Sequence, residues 1–138
     1  FPPPPQCWVN GVPSFDILVV NAQPTSGQCP QFNNIQLNDL IGKLADKWRV
    51  ICTNPTTARN AFQINTSIVR IGALSTSCKL IIGVSTGPIY LTFNEANKTI
   101  VRHILLSPMR LDYGPETPIR THADVESVER ALVEEGWL

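Results

Sequence analysis

The chain has 138 residues, 43% of them hydrophobic, which is enough for one domain with a real core but not comfortably two. Eleven basic residues balance eleven acidic ones, so the formal net charge is zero and no basic patch argues for nucleic-acid binding. The longest apolar runs, such as Ile17–Val20 and Leu80–Val84, are far too short to span a bilayer.

In chain order, "FPPPPQCWVNGVPS" (residues 1–14) opens with four consecutive prolines, which favour an extended polyproline form without ladder donors. It reads as an arm or interdomain linker; the sharper alternative is a ligand for a proline-recognising module. "FDILVVNAQ" follows, a continuous β-branched run that suits a strand buried on both faces. Pro24, Gly27 and Pro30 break it. Leu37, Leu40, Ile41, Leu44 and Trp48 then recur on one face of a helix, with Asp39 and Lys43 four apart on its wet side. "RVICTN" is a second short strand, ended by Asn54-Pro55, and a further short strand is expected at Ala61–Ile64.

Ile68, Ile71, Leu74 and Cys78 fall at helical spacing behind Asn65, Thr66 and Ser67, any of which can cap. "KLIIGVS" is another strand, and "GPIYLTFNEAN" reads as a short helix with Pro88 in its first turn. "TIVRHILLS" is a strand stopped by Pro108, and "MRLDYGPETPI" a loop. Thr121, with Asp124 three residues on, is expected to open the last helix. Val125, Val128 and Leu132 form its buried stripe and Gly136 closes it. Buried strands alternating with amphipathic helices predict an α/β fold over residues 15–138: a Rossmann-like, mostly parallel sheet with helices on both faces.

Cys7, Cys29, Cys52 and Cys78 are scattered without a C-x-x-C, and Cys52 and Cys78 sit in strand or helix patterns. Reduced thiols, and hence a cytoplasmic location, are the expectation. Asn65-Thr66-Ser67 and Asn97-Lys98-Thr99 match the glycosylation pattern, which carries meaning only in a secreted chain.

In parallel sheets, ligands bind beyond the carboxyl ends of the strands, where the strand order reverses. Three such ends are small, neutral and rich in hydroxyl or amide groups: Asn21–Gln28, Thr53–Thr57 and Ser85–Pro88. Ser85 or Thr86 could simply cap a helix. A helix starting at Gly87-Pro88 would equally offer free N–H groups and a positive dipole end to a phosphate. Three ends of this kind on one edge favour the phosphate. Competing chemistries lack support. The sequence has no phosphate-loop motif, no dinucleotide fingerprint and no D-x-D pair for a metal. His103 and His122 look isolated, with His103 expected as a core or sheet-face residue. Cys29 has no evident partner base, and Ser26 lacks the nucleophile elbow.

The segment "TSIVRIGALSTSCKLIIGVSTGPIYLTFN" resembles the donor-binding half of two-domain (GT-B type) glycosyltransferases, most closely the heptosyltransferase-like family. That family has a helix, a strand ending in Asp-Thr/Ser-Gly-Pro-x-His, and a short helix. The resemblance covers about residues 15–108. It implies a site for a nucleoside-diphosphate sugar, as substrate and with no cofactor. Thr86 and Gly87 would meet the diphosphate, with Thr25, Ser26 and Gly27 on its other side. Ser85 stands where the family usually has Asp and Tyr90 where it usually has His; both positions face the donor. Asn54 and Thr56 are the candidates for the base and ribose. The resemblance further implies glycosyl transfer without a metal, the catalytic base and acceptor site belonging to a partner domain or subunit. The chain would then be an excised half or one subunit of a split enzyme. The alternative is a non-catalytic glycan- or nucleotide-binding module.

Overall fold

The computed structural model describes residues 8–9, 12–13, 15–21, 34–54, 56–58, 60–63, 75–84, 100–105 and 119–138. Within the proline-rich arm, β1 (Trp8–Val9) and β2 (Val12–Pro13) form a small antiparallel pair. The main sheet contains β3 (Ile17–Val20), β4 (Val50–Cys52), β5 (Phe62–Gln63), β6 (Leu80–Val84), β7 (Val101–Leu105) and β8 (Ile119–His122). Among the described residues these six strands pair in the order β5-β4-β3-β6-β7-β8, every pairing parallel. The chain steps outward from β3 to β5, then returns to the other side of β3 with β6. The order of strands therefore reverses between β3 and β6, as the Rossmann-like reading requires.

The central strands are buried along their whole length, which explains their unbroken apolar runs. Ile17, Val19, Val50, Cys52, Leu80, Ile82 and Val84 share one face and one core with helices α1 (Asn34–Ala45) and α2 (Val125–Glu134). Leu37, Leu40, Ile41 and Leu44 of α1 and Val125, Val128 and Leu132 of α2 enter that core as their spacing predicts. Trp48 lies just past the end of α1, in the following turn. Leu18, Val20, Ile51, Ile81 and Ile104 form a second core on the opposite face with Phe15 and Cys78. The helices expected over residues 68–78 and 87–97 fall almost wholly outside the described residues, with Ser75 the one described helical position.

Two expectations need correction, and one gains a partner. The stretch 119–122, read as loop and helix cap, is the edge strand β8. The cap of α2 is Asp124 rather than Thr121: Asp124 is extended (φ −153°, ψ 171°) and its carboxylate accepts the Ser127 N–H at 2.8 Å. Lys43 pairs with Glu129 of α2, tying the two helices together, while Asp39 on its own helix stays a favourable charge neighbour.

The end of α2 is a Schellman turn. Gly136, at φ +88°, donates to the Val133 carbonyl and Trp137 to the Leu132 carbonyl. This turn lays Trp137 against Trp48, with ring centroids 5.0 Å apart, and the Trp48 indole N–H donates to the Trp137 carbonyl.

Candidate donor-binding edge

Strand β3 is stitched to its neighbours by a polar side chain at each end. At the amino end, Asp16 accepts the Arg49 N–H at 3.0 Å, while its own carbonyl accepts the Lys79 N–H at 2.8 Å. At the carboxyl end the work falls to Asn21, only 3% exposed. Its Oδ1 accepts the Asn54 N–H at 2.9 Å and its Nδ2 donates to the Asn54 carbonyl at 3.1 Å. The β3–β4 ladder continues as far as the Thr53 N–H on the Val19 carbonyl. The next rung would need an N–H from residue 55, which is proline. The Asn21 amide supplies the pairing that the ladder loses there.

Beyond that clamp, the Thr53 hydroxyl donates to the Asn54 Oδ1 at 3.2 Å. The Thr56 hydroxyl donates to Asn38 of α1 at 2.7 Å and accepts the Ala58 N–H at 3.1 Å. Of the two base or ribose candidates, Thr56 has its proton committed to Asn38. Asn54 has both backbone groups committed to Asn21, and its Nδ2 has no partner among the described residues. The phosphate-side candidates Thr25, Ser26, Gly27, Ser85, Thr86, Gly87 and Tyr90 lie outside the described residues. The segments that carry them, 22–33 and 85–99, leave from the ends of β3 and β6, which are paired through Val20 and Gly83. They therefore start from either side of the switch point.

The two histidines, expected to be isolated, are joined. His103 pairs with Arg120 across β7–β8, which sets His122 on the same face one step further along. His103 Nδ1 and His122 Nε2 are 2.9 Å apart, and His103 Nε2 lies 2.9 Å from Glu135 Oε1. His122 Nδ1 meets the Ser127 hydroxyl at 2.8 Å, and Arg120 donates to the other Glu135 oxygen at 3.1 Å. With neutral rings, one direction of hydrogens satisfies every contact: Ser127 donates to His122, His122 to His103, and His103 to Glu135. Every ring nitrogen is then in use. Burial, the adjoining His103 and Arg120 push His122 down to about 4. Burial alone would raise Glu135, but His103 and Arg120 outweigh it and hold the carboxyl below its usual range. This chain locks α2 onto the β7–β8 edge and lies away from the β3–β6 switch point. Sequence spacing gave no sign of it, since the contacting residues are 19 and 32 positions apart.

Two further features bear on chemistry. Burial pushes the Cys52 and Cys78 thiols up to about 12, so neither is a thiolate nucleophile, and neither is held in a disulfide. A groove of about 250 Å³ between α1 and α2 is lined by Asp39, Glu126 and Glu129 against a single cation, Lys43. That excess of negative charge repels a diphosphate.

No protein-family model matches the sequence, and no curated protein sequence matches it significantly. Solved structures do match. The E. coli heptosyltransferase WaaC with ADP-2-deoxy-2-fluoro heptose aligns over 89% of this chain at 15% identity and a TM-score of 0.65. The same enzyme with ADP aligns equally well, at 14% identity. The chain has the fold of that enzyme's C-terminal half. It spans only 44–45% of the length of those chains.

Proposed function

We propose that this chain is the donor-binding domain of a glycosyltransferase and holds a nucleoside-diphosphate sugar at the carboxyl edge between β3 and β6. One observation carries the reading: a parallel sheet whose order reverses between those strands, with the fold of a heptosyltransferase half solved with ADP and an ADP-sugar analogue. In this reading Thr25, Ser26 and Gly27 face one side of the diphosphate. Ser85, Thr86, Gly87 and Tyr90 face the other, and Asn54 meets the nucleoside. N–H groups at the start of the segment after β6 stabilise the leaving diphosphate as charge develops on it. By its resemblance to the heptosyltransferase-like family, the transfer is assigned in this reading to a metal-independent route. A base on an acceptor-binding partner domain or subunit activates the acceptor hydroxyl.

No helix among the described residues is long and apolar enough to cross a membrane. Two buried cysteines outside any disulfide suit a reducing compartment, and the reading places the protein in the cytoplasm. A non-catalytic nucleotide- or glycan-binding module is the competing assignment. Calorimetry against nucleoside diphosphates and their sugars tests the shared core of both. Binding is expected, and silence across the panel at millimolar concentration removes the reading. Folded Gly87→Val is expected to bind at least tenfold more weakly, about 1.4 kcal/mol, because a side chain there displaces the phosphate. Sugar transfer that appears only when an acceptor-binding partner is supplied separates the enzyme from the module.

A further inference from the structure

We infer that Asn21 is a positioning residue for nucleoside selection, acting through the backbone of Asn54 without touching the ligand. This deepens the donor-domain reading and rests on it. Asn21 closes strand β3 at the edge where the strand order reverses, and it is almost wholly buried. Its amide engages both backbone groups of Asn54, at 2.9 and 3.1 Å, and the next residue, Pro55, has no N–H with which to continue the ladder. On the far side, the loop is braced to α1 through Thr56 and Asn38 at 2.7 Å.

Residue 54 is thus held from two directions, by a strand end and by a helix. Its Oδ1 takes the Thr53 hydroxyl proton, so the Nδ2 hydrogens remain to recognise a ligand. Amide donors match the ring nitrogens and carbonyl oxygens of a nucleobase. They differ from the carboxylate that commonly accepts from a ribose diol at this strand end. Because nucleobases differ in where their acceptors lie, selectivity depends on the Asn54 amide staying in one place. Asn21 keeps it there. The phosphates bind at the β3–β6 side and do not depend on this clamp.

The test compares the parent chain with Asn21→Asp and Asn54→Ala. Asn21→Asp keeps the shape but sets a carboxylate oxygen against the Asn54 carbonyl at the position of the lost donor. Asn54→Ala keeps the backbone clamp and removes the side chain it presents. Affinities for ADP, GDP, UDP, CDP and inorganic pyrophosphate are measured by calorimetry, and protection of the Asn54 amide by hydrogen exchange. In the parent, the four nucleotides should differ by tenfold or more. In Asn21→Asp that spread should collapse to within threefold, Asn54 exchange should accelerate at least tenfold, and pyrophosphate affinity should stay within twofold. Asn54→Ala should lose the same discrimination, and its residue-54 amide should stay protected. If Asn21→Asp does not fold, the Asn54→Ala result decides. Retained discrimination in either folded variant overturns the inference. A parent that binds all four nucleotides equally overturns it while leaving the donor-domain reading intact. A parent that binds none of the five ligands removes both.

Discussion

Two polar networks, each built around buried side chains, sit on the same sheet and do opposite things with charge. At the carboxyl ends of β3 and β4, Asn21, Thr53, Asn54, Thr56 and Asn38 are joined by amides and hydroxyls alone. At the β7–β8 edge, Ser127, His122, His103, Glu135 and Arg120 form a chain in which three members titrate and one is a fixed cation. Both satisfy groups that would otherwise be buried without partners. The neutral network holds one geometry at any physiological pH, which suits an edge assigned to an uncharged nucleobase. The titratable network makes the docking of α2 depend on protonation. Under the proposed reading, recognition belongs to the first site and acid sensitivity to the second.

The largest effect should come from breaking the titratable chain at its centre. His103 is completely buried and bonds at both ring nitrogens. His103→Ala leaves a cavity, an unpaired His122 N–H and a carboxylate without its buried donor. Urea unfolding at pH 7.5 should show a loss of about 2–4 kcal/mol. Nucleotide affinity of the folded variant should not change, because His103 lies in mid-strand, two strands from β3. A loss under about 1 kcal/mol would make the chain an ornament of the edge rather than its lock.

Acidification should come next. His122 is held near 4 in the fold against an ordinary value of 6.5. As pH falls below about 6.5, the unfolded chain takes up a proton that the folded chain refuses, so stability is full above that pH and declines toward 4. Glu135, also lowered, extends the loss below its ordinary value of 4.5. Between pH 7.5 and 5 the loss should be about 1–2 kcal/mol after allowance for partial exposure. Unfolding curves at the two pH values measure it. His122→Phe should flatten that dependence, and an unaltered slope would assign the sensitivity to other groups.

What the sequence makes legible follows from the range of the interactions involved. The three strands β3, β4 and β6 are apolar on both faces, and that burial is written into consecutive residues. The stripes of α1 and α2 are equally local, one turn apart. β8 is different. It is an edge strand that follows proline, and only Ile119 packs into a core as a hydrophobe. Arg120 and His122 face α2, Thr121 is exposed, and the segment reads as polar loop. The histidine chain was hidden because its members meet only through the β7–β8 register and the return of α2. At the candidate site, Asn21 and Asn54 were visible as a hydroxyl- and amide-rich edge. The division of labour between them was not, since it depends on a missing N–H at Pro55 opposite a particular strand end.

A smaller effect should mark the neutral network. Thr56→Val nearly preserves volume but removes the donation to Asn38 and the acceptor for the Ala58 N–H. About 1 kcal/mol of stability should be lost. The loss should be the same at pH 7.5 and pH 5, because no member of that network titrates in the interval. A pH-dependent loss would erase the distinction between the two networks.

The smallest effect should come at the outer end of the titratable chain. Ser127 is part-exposed, and its hydroxyl donates to His122 Nδ1 at 2.8 Å. Its backbone N–H is independently bound by Asp124, so Ser127→Ala leaves the helix cap in place. The hydroxyl lies on the part-exposed side of the contact, where water can take its place, so the loss at pH 7.5 should be only about 0.5 kcal/mol. The pH response should change more than the stability itself. A hydroxyl that donates to Nδ1 favours the unprotonated ring, and removing it lets His122 take up a proton more readily. The folded value should rise from about 4 toward the ordinary 6.5, shrinking the gap that drives acid unfolding. Ser127→Ala should therefore be slightly weaker than the parent at pH 7.5 and lose less on going to pH 5. NMR titration of the His122 ring protons measures the shift directly. A His122 titration unmoved by the substitution would mean that burial, His103 and Arg120 set its value without help from Ser127.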